Sequence, residues 1–238
     1  MKFFLIIGLF LAVGLSSSAQ DQLVVDANAS IRELTESFDK IVVSTNVKLI
    51  ISQGDAIALA VSASEEKYKD EIKTVVKNGT LNIYITGSLK WNNKSRNHTV
   101  YLSIKDILSV NVSGASEVIA LGVLTLNNCE INLSGASRFT AGFAAAQLIF
   151  DLSGASKANC KGNVKQVNIE CSGASDMNGF FLYVEKANLQ ASGASDIRIA
   201  VSKEVNAEAS GASHIYYKGK AGVTNVKASG VSKIINTD

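Results

Sequence analysis

One tetrapeptide dictates the architecture. Ser-Gly-Ala-Ser begins at Ser113, Ser134, Ser153, Ser172, Ser192 and Ser210, and Ser-Gly-Val-Ser at Ser229. The glycines Gly114, Gly135, Gly154, Gly173, Gly193, Gly211 and Gly230 lie 18 to 21 residues apart. A unit near 20 residues is too small to bury a hydrophobic face alone, so its copies must stack into a solenoid.

The flanks say which solenoid. Before each glycine, positions −4 and −2 are apolar, from Val110 and Val112 in the first copy to Val226 and Ala228 in the last. Positions −5 and −3 are mostly polar, position +3 is polar or charged in every copy, and +4 is apolar again. Alternation with period two is a strand with one buried face. No stretch keeps a 3.6-residue apolar period for ten residues, which disfavours helical and leucine-rich repeats, and a propeller blade needs about 40 residues. The chain reads as all-β: a single-stranded β-helix whose coils of about 19 residues stack about 4.8 Å apart. Each coil is expected to be strands separated by Gly turns, the second of them at Gly122, Gly142, Gly162, Gly179 or Gly219. The motif glycines are expected to form one column of corners, with the flanking hydroxyls bonding backbone groups there. The −2 side chain shrinks from Val112 and Leu133 to Ala191, Ala209 and Ala228, so the coils should narrow toward the C-terminus.

Residues 20–110 lack the tetrapeptide but are also β-rich. Residues 38–52 and 56–63 look like strands, Asn78-Gly79 is a hairpin turn, and residues 100–104 alternate. Residues 65–72 have a helical flavour of about two turns. Residues 87–98 form a polar loop carrying the single Trp. No Pro or Gly linker separates the halves, so residues 38–238 read as one solenoid domain whose N-terminal part starts or caps the stack. Residues 20–37 form a short segment before it.

Residues 1–19 read as an export signal: Lys2, a 13-residue apolar run from Phe3 to Leu15, and small residues up to Ala19. A membrane-spanning helix needs roughly 20 residues, so no transmembrane segment is expected after cleavage. The expected location is periplasm, cell surface or exterior. Without the leader, 22 basic residues face 21 acids, and a near-neutral chain is not a nucleic-acid binder. No C-x-x-C occurs and there are only two histidines, so neither a metal nor a cofactor is expected. Cys129, Cys160 and Cys171 occupy non-matching coil positions and should stay unpaired.

Three surfaces are candidates for function. The +3 column runs Glu117, Arg138, Lys157, Asp176, Asp196, His214, Lys233. If the coils are in register, Asp176 and Asp196 are stacked neighbours flanked by Lys157 and His214. That is either a solvated ladder of charges or the acid–base pair of a carbohydrate-active lyase or hydrolase. Trp91, set among Lys90, Lys94 and Arg96, suits the face of a sugar or an acidic glycan. The Asn, Ser and Thr rows offer an interaction face without a small ligand. Seven copies of one turn cannot all be nucleophiles, and no Gly-x-Ser-x-Gly context supports a serine hydrolase. The last coil, with Ile234 and Ile235 beside Lys233, is expected to be either a self-association edge or the first part to fray.

The order of these elements resembles the head GIN domain, a family of auto-transporter adhesins common among exported Bacteroidetes proteins. The matching residues are Phe38 with Ile41-Val42-Val43, then Leu49-Ile50-Ile51-Ser52-Gln53-Gly54, Lys77-Asn78-Gly79-Thr80-Leu81-Asn82-Ile83, Val100-Tyr101-Leu102-Ser103-Ile104 and the Ser-Gly-Ala-Ser coils. The family often has a Pro just before the first repeat, where this chain reads Lys105-Asp106-Ile107. The resemblance implies a right-handed β-helix-like fold, an envelope or surface location and an adhesin-like, non-enzymatic role, with no catalytic residues.

Overall fold

The computed structural model describes residues 4–5, 25–87 and 96–238 of the chain. Five successive coils are single long strands: Glu117–Leu133, Arg138–Leu152, Lys157–Cys171, Asp176–Ala191 and Asp196–Ala209. Each pairs in parallel with the next, so residues of one repeat position stand side by side. The sixth coil divides into His214–Lys218 and Gly222–Ala228, and Lys233–Asn236 is the last rung. The result is a β-solenoid with about 19 residues per turn.

The tetrapeptide is the only true break in each long coil. Its glycines have φ between 70° and 74°, and they stack through short amide bonds: Ala155 N–H donates to Gly135 O, and Ala174 N–H to Gly154 O, each at 2.7 Å. Gly122, Gly142, Gly162 and Gly179 lie within their strands, so one continuous strand replaces the separate strands expected in those coils, whereas Gly219 ends His214–Lys218 as expected. Gly162 shows why no side chain is allowed there: a Cβ would meet Phe143 O at 2.0 Å.

The second serine of the first six motifs turns inward. Ser116, Ser137, Ser156, Ser175, Ser195 and Ser213 are all buried. Ser195 Oγ lies 3.0 Å from Cys171 O and 2.8 Å from Ser192 O, donating to these carbonyls, and Ser213 and Ser232 repeat the arrangement. Where bonded, the hydroxyl adds a second donor to a carbonyl that already takes an amide, as Cys171 O takes Ser192 N–H, and bridges to the carbonyl of the motif's first serine.

Apolar positions −4, −2 and +4 fill the interior. The coil Arg138–Leu152 holds Phe139, Phe143 and Phe150, with neighbouring ring centroids 6.2 Å apart. Towards the C-terminus the −2 position is filled by Cys171, Ala191 and Ala209, all buried. The three cysteines are buried free thiols. Burial pushes the Cys129 and Cys171 thiols up to about 12 and raises Cys160 as well, so none is a ready nucleophile.

The N-terminal region enters the stack out of order. Residues 38–52, expected as one strand, are two: Lys40–Val43 and Lys48–Gln53. Ser44-Thr45-Asn46-Val47 turns the corner between them, with Thr45 at φ 65° and Asn46 at φ 72°. This coil lies between Ser109–Val112 with the start of Glu117–Leu133 on one side, and Thr80–Ile85 with Thr99–Ile104 on the other. It therefore extends the glycine column without a glycine. Asn tolerates the left-handed region, but Thr at φ 65° is unusual; Thr45 Oγ1 accepts the Ile85 N–H at 2.7 Å, which helps hold it.

Antiparallel strands cap this end. Ile72–Lys77 pairs with Thr80–Ile85 through the expected Asn78-Gly79 turn, both residues having positive φ. Ala58–Ser62 covers Thr99–Ile104, and Ser30–Arg32 covers Ala58–Ser62. The helix expected over residues 65–72 is a single turn, Glu66–Lys69. Phe4–Leu5 pairs with Val25–Asp26, a contact that cleavage after Ala19 would remove.

Candidate functional surface

The +3 column forms as expected. Glu117, Arg138, Lys157, Asp176, Asp196, His214 and Lys233 are consecutive register partners, and Lys48 of the earlier coil continues the row beside Glu117. Lys48 and Glu117 pair at 3.3 Å. Asp176 and Asp196 are adjacent, but neither is a bare carboxylate. Arg198, two residues beyond Asp196, donates to Asp176 Oδ1 at 2.7 Å and to Asp196 Oδ2 at 2.9 Å. His214 Nδ1 lies 3.2 Å from Asp196 Oδ1, and both His214 and Arg198 lie against the Tyr216 ring. Sequence reasoning missed Arg198 because it belongs to position +5 and reaches the column only through its length.

Position −5 builds a second row. Asn168, Asn188, Asn206 and Asn225 are register partners. Asn188 Nδ2 donates to Asn168 Oδ1 at 2.9 Å, and Asn225 Nδ2 to Asn206 Oδ1 at 3.1 Å. Beside it at −3 stand Glu170, Gln190, Glu208 and Lys227, with Lys227 pairing Glu208 at 3.1 Å. The hydrogen bond and charge of Lys227 hold the Glu208 carboxyl below its usual value. A groove follows this wall, lined among others by Glu170, Gln190, Ser192, Glu208 and Lys227.

The outermost coil is made by Thr80–Ile85 and Thr99–Ile104, which pair with Lys40–Val43 and Lys48–Gln53. Ser44 N–H donates to Ile83 O and Lys48 N–H to His98 O, each at 3.0 Å, on either side of the corner through Thr45 and Asn46. Lys90, Trp91 and Lys94 lie outside the described residues. Arg96 stands at the loop's return, where it donates two bonds to Glu71 at 2.8 and 2.9 Å and lies 4.8 Å from the Tyr68 centroid. His98 Nε2 is 3.0 Å from the same carboxylate. Desolvation raises the Glu71 pKa, but these bonds and charges outweigh it and leave the carboxyl below its usual value.

Among the described residues no three His, Cys, Asp or Glu side chains are grouped to hold a metal ion. Neither Asp176 nor Asp196 lines the groove above, the cleft beside His98 or the hollow around Phe38 and Leu108.

Fold and surface together define a β-solenoid with laterally aligned polar rows on its outer walls. The family described as putative auto-transporter adhesin, head GIN domain, matches residues 37–221, and the chain belongs to it. No curated protein matches the chain in sequence. Its fold is that of a putative adhesin from Bacteroides fragilis (TM-score 0.77, 18% identity, covering 88% of this chain and 97% of that one). A putative adhesin from Parabacteroides merdae (0.68, 16%, 88% and 97%) is also similar. So is a putative lipid binding protein from Parabacteroides distasonis (0.65, 21%, 88% and 98%).

Proposed function

We propose that this chain is an exported, non-catalytic β-solenoid that engages a glycan or other surface partner through its repetitive polar walls, with the Lys90, Trp91, Lys94 and Arg96 loop as a second contact at one end. The observation that carries this reading is the aligned row Asn168, Asn188, Asn206 and Asn225. Each amide both donates and accepts, so a wall of them matches a polymer that presents hydroxyls at regular intervals. The adhesin-like family supports a surface role. Export rests on the leader read in residues 1–19; no helix among the described residues is long and apolar enough to cross a membrane.

The enzyme alternative needs Asp176 and Asp196 as acid and base. Their shared engagement by Arg198 favours a charge ladder instead, because Asp176 Oδ1 and Asp196 Oδ2, oxygens an acid–base pair would turn to a substrate, are taken by its guanidinium. A glycan array probed with the full chain tests the proposal. Retention on oligosaccharides, weakened by Asn188→Ala with Asn206→Ala, is the expected result. No retention on any glycan overturns the glycan reading. Cleavage of a bound polysaccharide that disappears in Asp176→Asn restores the enzyme.

A further inference from the structure

One coil carries an aromatic bulge unlike anything on its neighbours. In Asp176–Ala191, Gly179 pairs with Ile199 but Tyr183 pairs with Ala200, so Phe180, Phe181 and Leu182 have no counterparts on the next coil. A bulge re-aims side chains. Leu182 turns fully inward, whereas Phe181 is 67% and Tyr183 54% exposed. Two large rings in water are a loss that the core does not require, and clustered exposed aromatics mark binding sites.

Cations surround the rings. Lys218 Nζ lies 5.4 Å from the Phe181 centroid, 5.5 Å from Phe180 and 5.9 Å from Tyr183. It reaches them across Ala200, which pairs with Tyr183 on one side and Lys218 on the other. Ala200 itself is buried and short. Exposed Lys161 is the register partner of Phe181 on the opposite flank. Lys186 and Lys203, on this coil and the next, each pair with a glutamate. Among the described residues, Lys161 and Lys218 have no carboxylate within ion-pair distance. The patch therefore offers flat apolar faces and uncompensated positive charge together.

We infer that Phe180, Phe181, Tyr183, Lys161 and Lys218 form a subsite for an acidic sugar, a uronate-type residue whose ring stacks on the exposed aromatics while its carboxylate takes the lysines. This rests on the glycan reading above and names the chemical class. A neutral sugar would leave the lysines unanswered, and a free small anion would leave the rings exposed.

Calorimetry of the full chain with an oligogalacturonate and with a neutral galacto-oligosaccharide of equal length tests it. The acidic ligand should bind, with affinity falling as salt is raised. Phe181→Ala and Lys218→Gln should each weaken it roughly tenfold, the scale of one lost stacking or charged contact. Lys218→Gln should leave affinity for the neutral ligand unchanged. Both variants are on the surface, and unchanged thermal unfolding confirms that each is folded. If oligogalacturonate binds both variants as it binds the parent, the subsite is refuted while the glycan reading stands. If no glycan of any kind binds, both fall. If phosphatidylglycerol vesicles, and not oligogalacturonate, are bound in a manner lost with Phe181→Ala, the patch is a lipid surface and the inference is overturned.

Discussion

A Cβ placed on Gly173 would sit 2.7 Å from the carbonyl oxygen of Gly154, the same corner one coil earlier. The contact recurs at every step from Gly135 to Gly230, at 2.7 to 2.8 Å. That oxygen accepts the Ala174 N–H, so it cannot move aside without breaking the column. Gly173→Ala must therefore tolerate both a left-handed backbone and a clash with fixed backbone. The backbone strain alone costs about 1–3 kcal/mol. Gly54→Ala is the control: its Cβ would meet only Ser103 Oγ, at 3.4 Å, and should change stability by less than about 0.5 kcal/mol. Urea midpoints of the two variants check this, and equal midpoints would refute the stacking argument.

The inward serines are not equivalent, although their sequence context is. Ser195 Oγ has two carbonyl acceptors, whereas Ser137 Oγ and Ser156 Oγ are buried with no partner among the described residues. Removing a bonded hydroxyl costs about 1 kcal/mol, and removing an unbonded one relieves a desolvated group. Ser195→Ala should lower the unfolding midpoint, and Ser156→Ala should leave it unchanged or raise it. Equal losses would mean that Ser156 has a partner in solution.

The solenoid and its corner column were legible because each coil repeats the same φ demand and the same alternation. Three features were not. The coil through Thr45 and Asn46 makes the corner without glycine, so a search for the motif passes over it. Arg198 and the Phe180–Tyr183 bulge depend on how side chains cross between coils and on residues left over when a 20-residue step meets an 18-residue one. Periodicity records what the coils share, and these features lie where they differ.

Acid should loosen the base of the polar loop first. Glu71 has a folded pKa below its usual value, so its contribution is complete above the unfolded value of about 4.3 and is lost as pH falls through the lower folded one. Below that window the carboxylate no longer holds Arg96 and His98. Amide exchange of Ser64, whose N–H donates to Arg96 O, should then accelerate relative to the coil amides. In Glu71→Gln the acceleration should already be present at pH 6 and should not depend on pH. If Ser64 stays as protected once acid has protonated Glu71 as it is at pH 6, the clamp does not hold the loop.

The last rung offers a further test. Lys233–Asn236 pairs on one side with His214–Lys218, and among the described residues it has no strand on the other. Val223, Val226, Val231 and Ile235 are exposed there. An open edge with apolar neighbours pairs readily with another copy. The 238-residue chain should self-associate in sedimentation experiments, and Ile235→Lys should reduce this without lowering the unfolding midpoint. A parent that stays monomeric at high concentration would rule the edge out.

Arg198 decides whether Asp176 and Asp196 attract or oppose the stack. With it in place, both carboxylates are ion-paired to one guanidinium. Without it, two negative groups face each other on adjacent coils, an arrangement that destabilises a sheet. Arg198→Gln should cost roughly 1 kcal/mol at pH 7 in low salt, a typical value for exposed ion pairs, and less in molar salt. The sharper readout is a change of sign. In the parent, Asp176→Asn removes a favourable bond to Arg198 and should lower stability. In the Arg198→Gln background the same substitution removes a repulsion and should raise it. Urea midpoints of the parent, both single variants and the double variant give the coupling directly. If Asp176→Asn destabilises both backgrounds equally, Arg198 is not what reconciles the two carboxylates.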